Sequence, residues 1–100
     1  MIEKIYEEAA DLYNANNFEA AIQKYKEVLA LDENVTEAWE WLGHSFLRLD
    51  DFDNAALAYE RCIKLDPEKI EYIQFLAEAY FFGEYYEESL EQYQRLICIW

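Results

Sequence analysis

Residues 36 to 69 read TEAWEWLGHSFLRLDDFDNAALAYERCIKLDPEK, and this stretch decides the fold, because the segments on either side repeat its pattern without an inserted or deleted residue. With Thr36 counted as the first position, Trp39 falls at position 4, Leu42 at 7, Gly43 at 8, Phe46 at 11, Ala55 at 20, Tyr59 at 24 and Pro67 at 32. Each has a packing role. Gly43 and Ala55 are small enough for two helices to approach closely, while Trp39, Phe46 and Tyr59 fill the space around that contact.

A shift of 34 residues aligns the flanking segments. Upstream, Ile5, Ala9, Leu12, Phe18, Ala21, Tyr25 and Leu29 take the places of Trp39, Gly43, Phe46, Phe52, Ala55, Tyr59 and Ile63. Downstream the same places hold Ile73, Ala77, Tyr80, Tyr86, Ser89, Tyr93 and Ile97. This pattern resembles the tetratricopeptide repeat, whose 34-residue signature has a Trp, a Leu-Gly pair and an aromatic, then a small residue, an aromatic and a Pro. The resemblance runs from about Ile2 to Trp100. It implies an all-α fold: an α-α superhelix, or solenoid, of three helix-turn-helix units with six antiparallel helices, forming one domain over residues 1–100. The units are expected at about 2–35, 36–69 and 70–100.

Helical periodicity and turn residues predict helices at about 3–14, 18–31, 37–49, 53–65, 68–82 and from Tyr85 onward. Thr36 is expected to cap the third, and Pro67 to open the fifth at its first turn. Gly83 is expected at the C-cap of the fifth. Asp50-Asp51-Phe52-Asp53-Asn54 lacks the Gly and distal Glu of a calcium loop, so it reads as a turn, with Asp53 near a helix N-terminus.

The formal charge is −14, spread as −5 over residues 1–35, −4 over 36–69 and −5 over 70–100. Such a field repels phosphate backbones and anionic lipid, which argues against nucleic acid and membrane as partners and for a basic or apolar polypeptide. The N-terminus, MIEKIYEEAADLY, has no uninterrupted apolar core, and nothing later resembles a membrane span. Cys62 and Cys98 lack metal-ligand spacing and read as reduced thiols of a cytoplasmic protein.

Catalysis finds little support. His44 is the only histidine, and Cys62 is expected to face the core rather than pair with it. Glu40 and His44 stand four apart, yet no second histidine completes a metal site. The chain has two glycines, Gly43 and Gly83, and no phosphate-binding loop. No metal and no cofactor are expected, and the protein is read as a non-enzyme.

The ends differ. Glu8 stands where Leu42 and Leu76 stand in the other units, as suits an outermost face, and marks residue 1 as an expected true beginning. The other end finishes Leu96-Ile97-Cys98-Ile99-Trp100, so an apolar surface of Leu96, Ile97, Ile99 and Trp100 is expected to be covered, by a second copy of the chain or by further sequence.

Family members take up partner segments in a concave groove lined by the first helix of each unit, with contacts at repeat positions 2, 5, 9, 12 and 13. The resemblance carries these onto Glu3, Tyr6, Ala10, Tyr13 and Asn14, then Glu37, Glu40, His44, Leu47 and Arg48, then Glu71, Gln74, Glu78, Phe81 and Phe82. Five glutamates against one arginine leave no clamp for the acidic tails that some members bind. The resemblance thus implies a protein-protein interaction module, a scaffold or co-chaperone-like adaptor, holding a basic or apolar segment in an acidic, aromatic groove. The alternative is a self-association or assembly module, such as a homodimer through the C-terminal helix, or a piece of a larger array.

Overall fold

The computed structural model describes residues 2–99, with side chains through Ile97. Met1, Trp100 and the side chains of Cys98 and Ile99 lie outside the described residues, and with them the expectations placed on Cys98, Ile99 and Trp100. The described chain forms six helices and no strand: α1 (Ile2–Asn14), α2 (Phe18–Leu31), α3 (Thr36–Arg48), α4 (Phe52–Leu65), α5 (Ile70–Phe82) and α6 (Tyr86–Ile99). The main contacts join each helix to the next in sequence, and the assembly measures 40 × 25 × 18 Å. This is the quasi-linear packing of a solenoid.

The turn inside each unit is set by one residue in the left-handed region: Asn16 (φ 63°), Asp50 (φ 60°) and Glu84 (φ 67°). These three lie 34 residues apart, so the repeat extends to the backbone. Asn and Asp visit this region at low cost, whereas Glu84 does so less readily. Gly83 does occupy the C-cap of α5, but with an ordinary φ of −82°. Its reason is space, since a Cβ there would stand 2.9 Å from Cβ of Phe52.

Two boundary expectations are corrected. Val35, not Thr36, is the cap residue of α3, and no side chain caps that end; Thr36 is already helical. Pro67 lies in the turn before α5, which starts at Ile70 rather than near 68 with Lys69 at its cap. Both inter-unit turns close through backbone bonds, Val35 N–H to the Asp32 carbonyl (3.5 Å) and Lys69 N–H to that of Asp66 (3.4 Å), so neither needs a side-chain cap. Asp53 is in the first turn of α4 as expected, while the cap itself is Asp51, which accepts from the Asn54 backbone N–H (3.4 Å) and side-chain amide (2.7 Å).

The core has two clusters. Ala9, Ala21, Ile22, Tyr25, Val28, Leu29, Ala38 and Leu42 join α1, α2 and α3, and Ala55, Ala56, Tyr59, Leu76 and Ala79 join α4 and α5. Phe46 packs against both. At Gly43, a Cβ would stand 2.6 Å from Cε1 of Tyr59, so only glycine admits the ring this close.

The outer faces of the first and last helices differ in chemistry. Where α3 buries Ala38, Leu42 and Ser45, and α5 buries Tyr72, Leu76 and Ala79, α1 carries Lys4, Glu8 and Asp11. On α6, Leu90 and Ile97 are 58% and 70% exposed, although their counterparts Ile22 and Leu29 on α2 are 5% and 9% exposed beneath α3.

Candidate functional site

Aromatic side chains continue from unit to unit on the first helices. Tyr13 meets Phe18 edge-on at 5.2 Å and Trp41 at 5.1 Å; Trp41 meets His44 at 5.0 Å, and His44 meets Phe75 at 4.9 Å. Helical spacing places Glu37, Trp41, His44 and Arg48 along one stripe of α3 and Tyr6, Ala10 and Tyr13 along one stripe of α1, and the Tyr13–Trp41 contact joins the two.

Between α1 and α3 this row opens into a cleft of about 290 Å³ lined by Tyr6, Ala10, Tyr13, Asn14, Tyr25 and Trp41. A second cleft of about 420 Å³ shares Tyr6 and is lined also by Ile2, Glu3, Glu7, Val35 and Glu37. Burial raises the Tyr6 hydroxyl pKa, and the carboxylates of Glu37 and Glu40 raise it further. Burial likewise raises that of Tyr25, so both phenols are neutral. The paired clefts are thus an aromatic hollow beside a carboxylate rim.

His44 is committed to the interior. Its Nδ1 lies 2.6 Å from the Tyr59 hydroxyl and its Nε2 lies 3.4 Å from Oε2 of Glu40, whose other oxygen is 3.8 Å from Nζ of Lys69. Burial lowers its pKa, with Glu40 and Glu78 opposing. The neutral ring accepts from Tyr59 and turns its Nε2–H to Glu40. Cys62 is fully buried, and its thiol donates to the Thr36 carbonyl (3.6 Å). Burial, with help from Glu40, pushes that thiol up to about 12, which leaves no nucleophilic thiolate at neutral pH.

The residues expected to line a groove therefore divide. Tyr6, Ala10, Tyr13 and Asn14 meet in the aromatic cleft, and Glu3 and Glu37 meet at its acidic neighbour. Glu40 and His44 form the half-buried cluster with Tyr59, Leu47 packs against the second core cluster, and Arg48 lies over the Phe18 ring at 5.4 Å. On α5, Glu71 is exposed and Gln74 donates to Glu78 (3.4 Å). Phe81 and Phe82 are exposed at the far turn, edge-on to each other at 5.8 Å, with Phe82 tilted over Phe52 at 6.3 Å. They share no cleft with the α1–α3 residues. Of the apolar end, Leu96 is half-buried and Ile97 exposed. Trp41, Tyr25 and Phe75 were absent from the expected set. The stripe Glu37, Trp41, His44 pointed to Trp41, since it sits at i+4 between two residues already named.

Comparison with known proteins agrees with the fold. The tetratricopeptide repeat family profile matches residues 6–70. The chain is 32% identical over 93 residues to the general transcriptional corepressor ssn6 of Schizosaccharomyces pombe, covering 88% of this chain and 8% of that protein. Among solved structures, MamA superposes with a TM-score of 0.90 at 23% identity, over 94% of this chain and 51% of that one. A chain of the CopN–Scc3 complex superposes with a TM-score of 0.88 at 20% identity, over 91% and 54%. The chain thus spans about half the length of these structures and less than a tenth of the corepressor. No described helix is long and apolar enough to cross a membrane, and the described residues hold no cluster of potential metal ligands.

Proposed function

Because this chain belongs to the tetratricopeptide repeat family, whose units serve in general as non-catalytic protein-protein contact modules, we propose that it holds a basic segment of a partner polypeptide against α1 and α3. One observation carries this reading: the two clefts that meet at Tyr6, one walled by aromatics and the other rimmed by Glu3, Glu7 and Glu37. Carboxylates steer and pair with Lys or Arg, and rings receive the apolar stems and cationic heads of the same side chains. The net charge of −14 adds long-range attraction for a basic partner. In this reading the protein is a scaffold or adaptor, with Gln74, Glu78 and Phe81 of α5 lengthening the surface.

The test is a tryptophan fluorescence titration, reporting through Trp39 and Trp41, with basic and acidic peptides of equal length and apolar content, at low and high salt. The basic peptide is expected to bind, more weakly as salt rises. Equal binding of the acidic peptide would overturn the reading.

The outward face of α6 supports a second reading. Leu90, Tyr93 and Ile97 are exposed where their equivalents lie beneath the next unit, so this face suits association with another copy or another helical unit. Light scattering over a range of concentrations should show a dimer that Ile97→Glu abolishes; a monomer throughout would remove the self-association form of it.

A further inference from the structure

The cleft between α1 and α3 has a geometry more specific than an apolar hollow. Tyr6 stands against Tyr25 with centroids 5.7 Å apart and planes at 73°, and Tyr13 stands against Trp41 at 5.1 Å, also at 73°. Tyr25 is 1% exposed and forms the floor, so a group seated in the cleft meets the half-buried rings of Tyr6, Tyr13 and Trp41. A planar guanidinium stacks on one face, as Arg48 does over Phe18 at 5.4 Å and Arg61 over Trp39 at 5.2 Å. A tetrahedral ammonium can present to several faces at once.

Resting on the reading that a basic segment binds here, we propose that the cleft between Tyr6, Tyr13 and Trp41 takes the ammonium group of one partner lysine, free or methylated, by cation–π contact.

The surroundings favour a cation over a neutral apolar side chain. Glu37 lines the neighbouring cleft with Tyr6, and after burial the carboxylates of Glu37 and Glu40 are the further causes that raise the Tyr6 hydroxyl pKa, so negative charge stands beside the rings. Glu3 and Glu7, both exposed on α1, line the neighbouring cleft that shares Tyr6. Three of the protein's own lysines are held elsewhere: Lys24 pairs with Glu8 (3.2 Å) and Glu27 (3.5 Å), Lys26 lies over Phe46 (5.7 Å), and Lys69 lies over Tyr72 (4.9 Å). Four such contacts within the described residues show that this chain uses its rings as cation seats, and the rings of this cleft are not among those four. A volume of about 290 Å³ holds one long side chain rather than a helix.

The test uses three probes: a hexapeptide with one central lysine, its N-trimethyl form, and the isostere in which the quaternary nitrogen is replaced by carbon. Size and shape match in the last two, and only charge differs. Titration followed by tryptophan fluorescence should show the trimethyl form binding about tenfold tighter than the carbon isostere. Equal affinity of those two would overturn the proposal, since the cleft would then read apolar bulk alone. Tyr6→Leu and Tyr13→Leu, confirmed as folded by circular dichroism, should each remove the preference for charge. If a longer basic peptide binds wild type and both variants equally, this pocket fails while the basic-segment reading stands. If that longer peptide does not bind wild type, the wider reading fails too. The isostere comparison is made on wild type, so it decides even if a variant does not fold.

Discussion

Gly43→Ala tests the close approach at the centre of the fold. Units one and three carry Ala9 and Ala77 at this position, so an argument from the repeat alone would expect alanine to be harmless, and helix propensity alone would have it stabilise α3 by about 1 kcal/mol. The structure argues the reverse. The added Cβ would stand 2.6 Å from Cε1 of Tyr59 and 3.0 Å from two further ring atoms, where carbon atoms rest at about 3.5–4.0 Å. The ring has nowhere to go, because Tyr59 is 0% exposed and its hydroxyl is tied to His44 at 2.6 Å. Positions equivalent to His44 hold Ala10 and Glu78, so only the middle unit has this tie to a histidine on its first helix. Overpacking of a filled site costs about 1–3 kcal/mol, and stretching the Tyr59–His44 bond adds about 1 kcal/mol. Set against the propensity gain, the net loss is about 1–3 kcal/mol. For a domain of this size each kcal/mol lowers Tm by about 4–8 °C. Urea denaturation followed by circular dichroism should show a lower midpoint with an unchanged slope. In a Tyr59→Leu background the same alanine should become neutral or stabilising, a coupling that identifies the ring as the cause. A Gly43→Ala protein as stable as wild type would refute the reasoning.

Acid should weaken the fold through His44. Its folded pKa lies below the usual 6.5, so between that folded value and 6.5 the unfolded chain binds the extra proton. Stability is then lost as pH falls from 6.5, by up to about 1.4 kcal/mol per pH unit for this one group. Relief of the −14 charge acts in the opposite sense, so the measurement is the difference in urea midpoints between wild type and His44→Gln at pH 7.5 and 5.5. Identical pH dependence in the two would count against it. Cys62 should resist thiol reagents at pH 7 in the folded protein and react on unfolding, because its thiol is buried and raised to about 12. Mass mapping separates it from Cys98, and rapid labelling of Cys62 under native conditions would contradict the burial.

The 34-residue offset was enough to place all six helices within about two residues, because each aligned side chain answers a packing demand that recurs at every interface. The errors fell at the ends of helices. Thr36 looked like a cap by residue type, yet the inter-unit turn satisfies itself through the backbone. The carriers of the left-handed turn are not legible as a set, since Glu84 has no composition signal for that conformation and the adjacent Gly83 is the residue type that does. At the candidate site, spacing placed Tyr6, Ala10 and Tyr13 on one face, and they share a cleft. It could not show that a hydroxyl fifteen residues away would take His44 out of the groove, or that Tyr25 would supply a wall from the second helix. Those relations depend on how helices cross.

The unlike outer faces of α1 and α6 limit how copies of this chain can multiply. Head-to-tail stacking would press Glu8 and Asp11 onto Leu90 and Ile97, stranding carboxylates against an apolar surface at a cost of several kcal/mol each. The translation that relates the three units therefore does not extend favourably from α6 of one copy to α1 of another. In the self-association reading, pairing through α6 takes the closed, two-fold form in which like end meets like end.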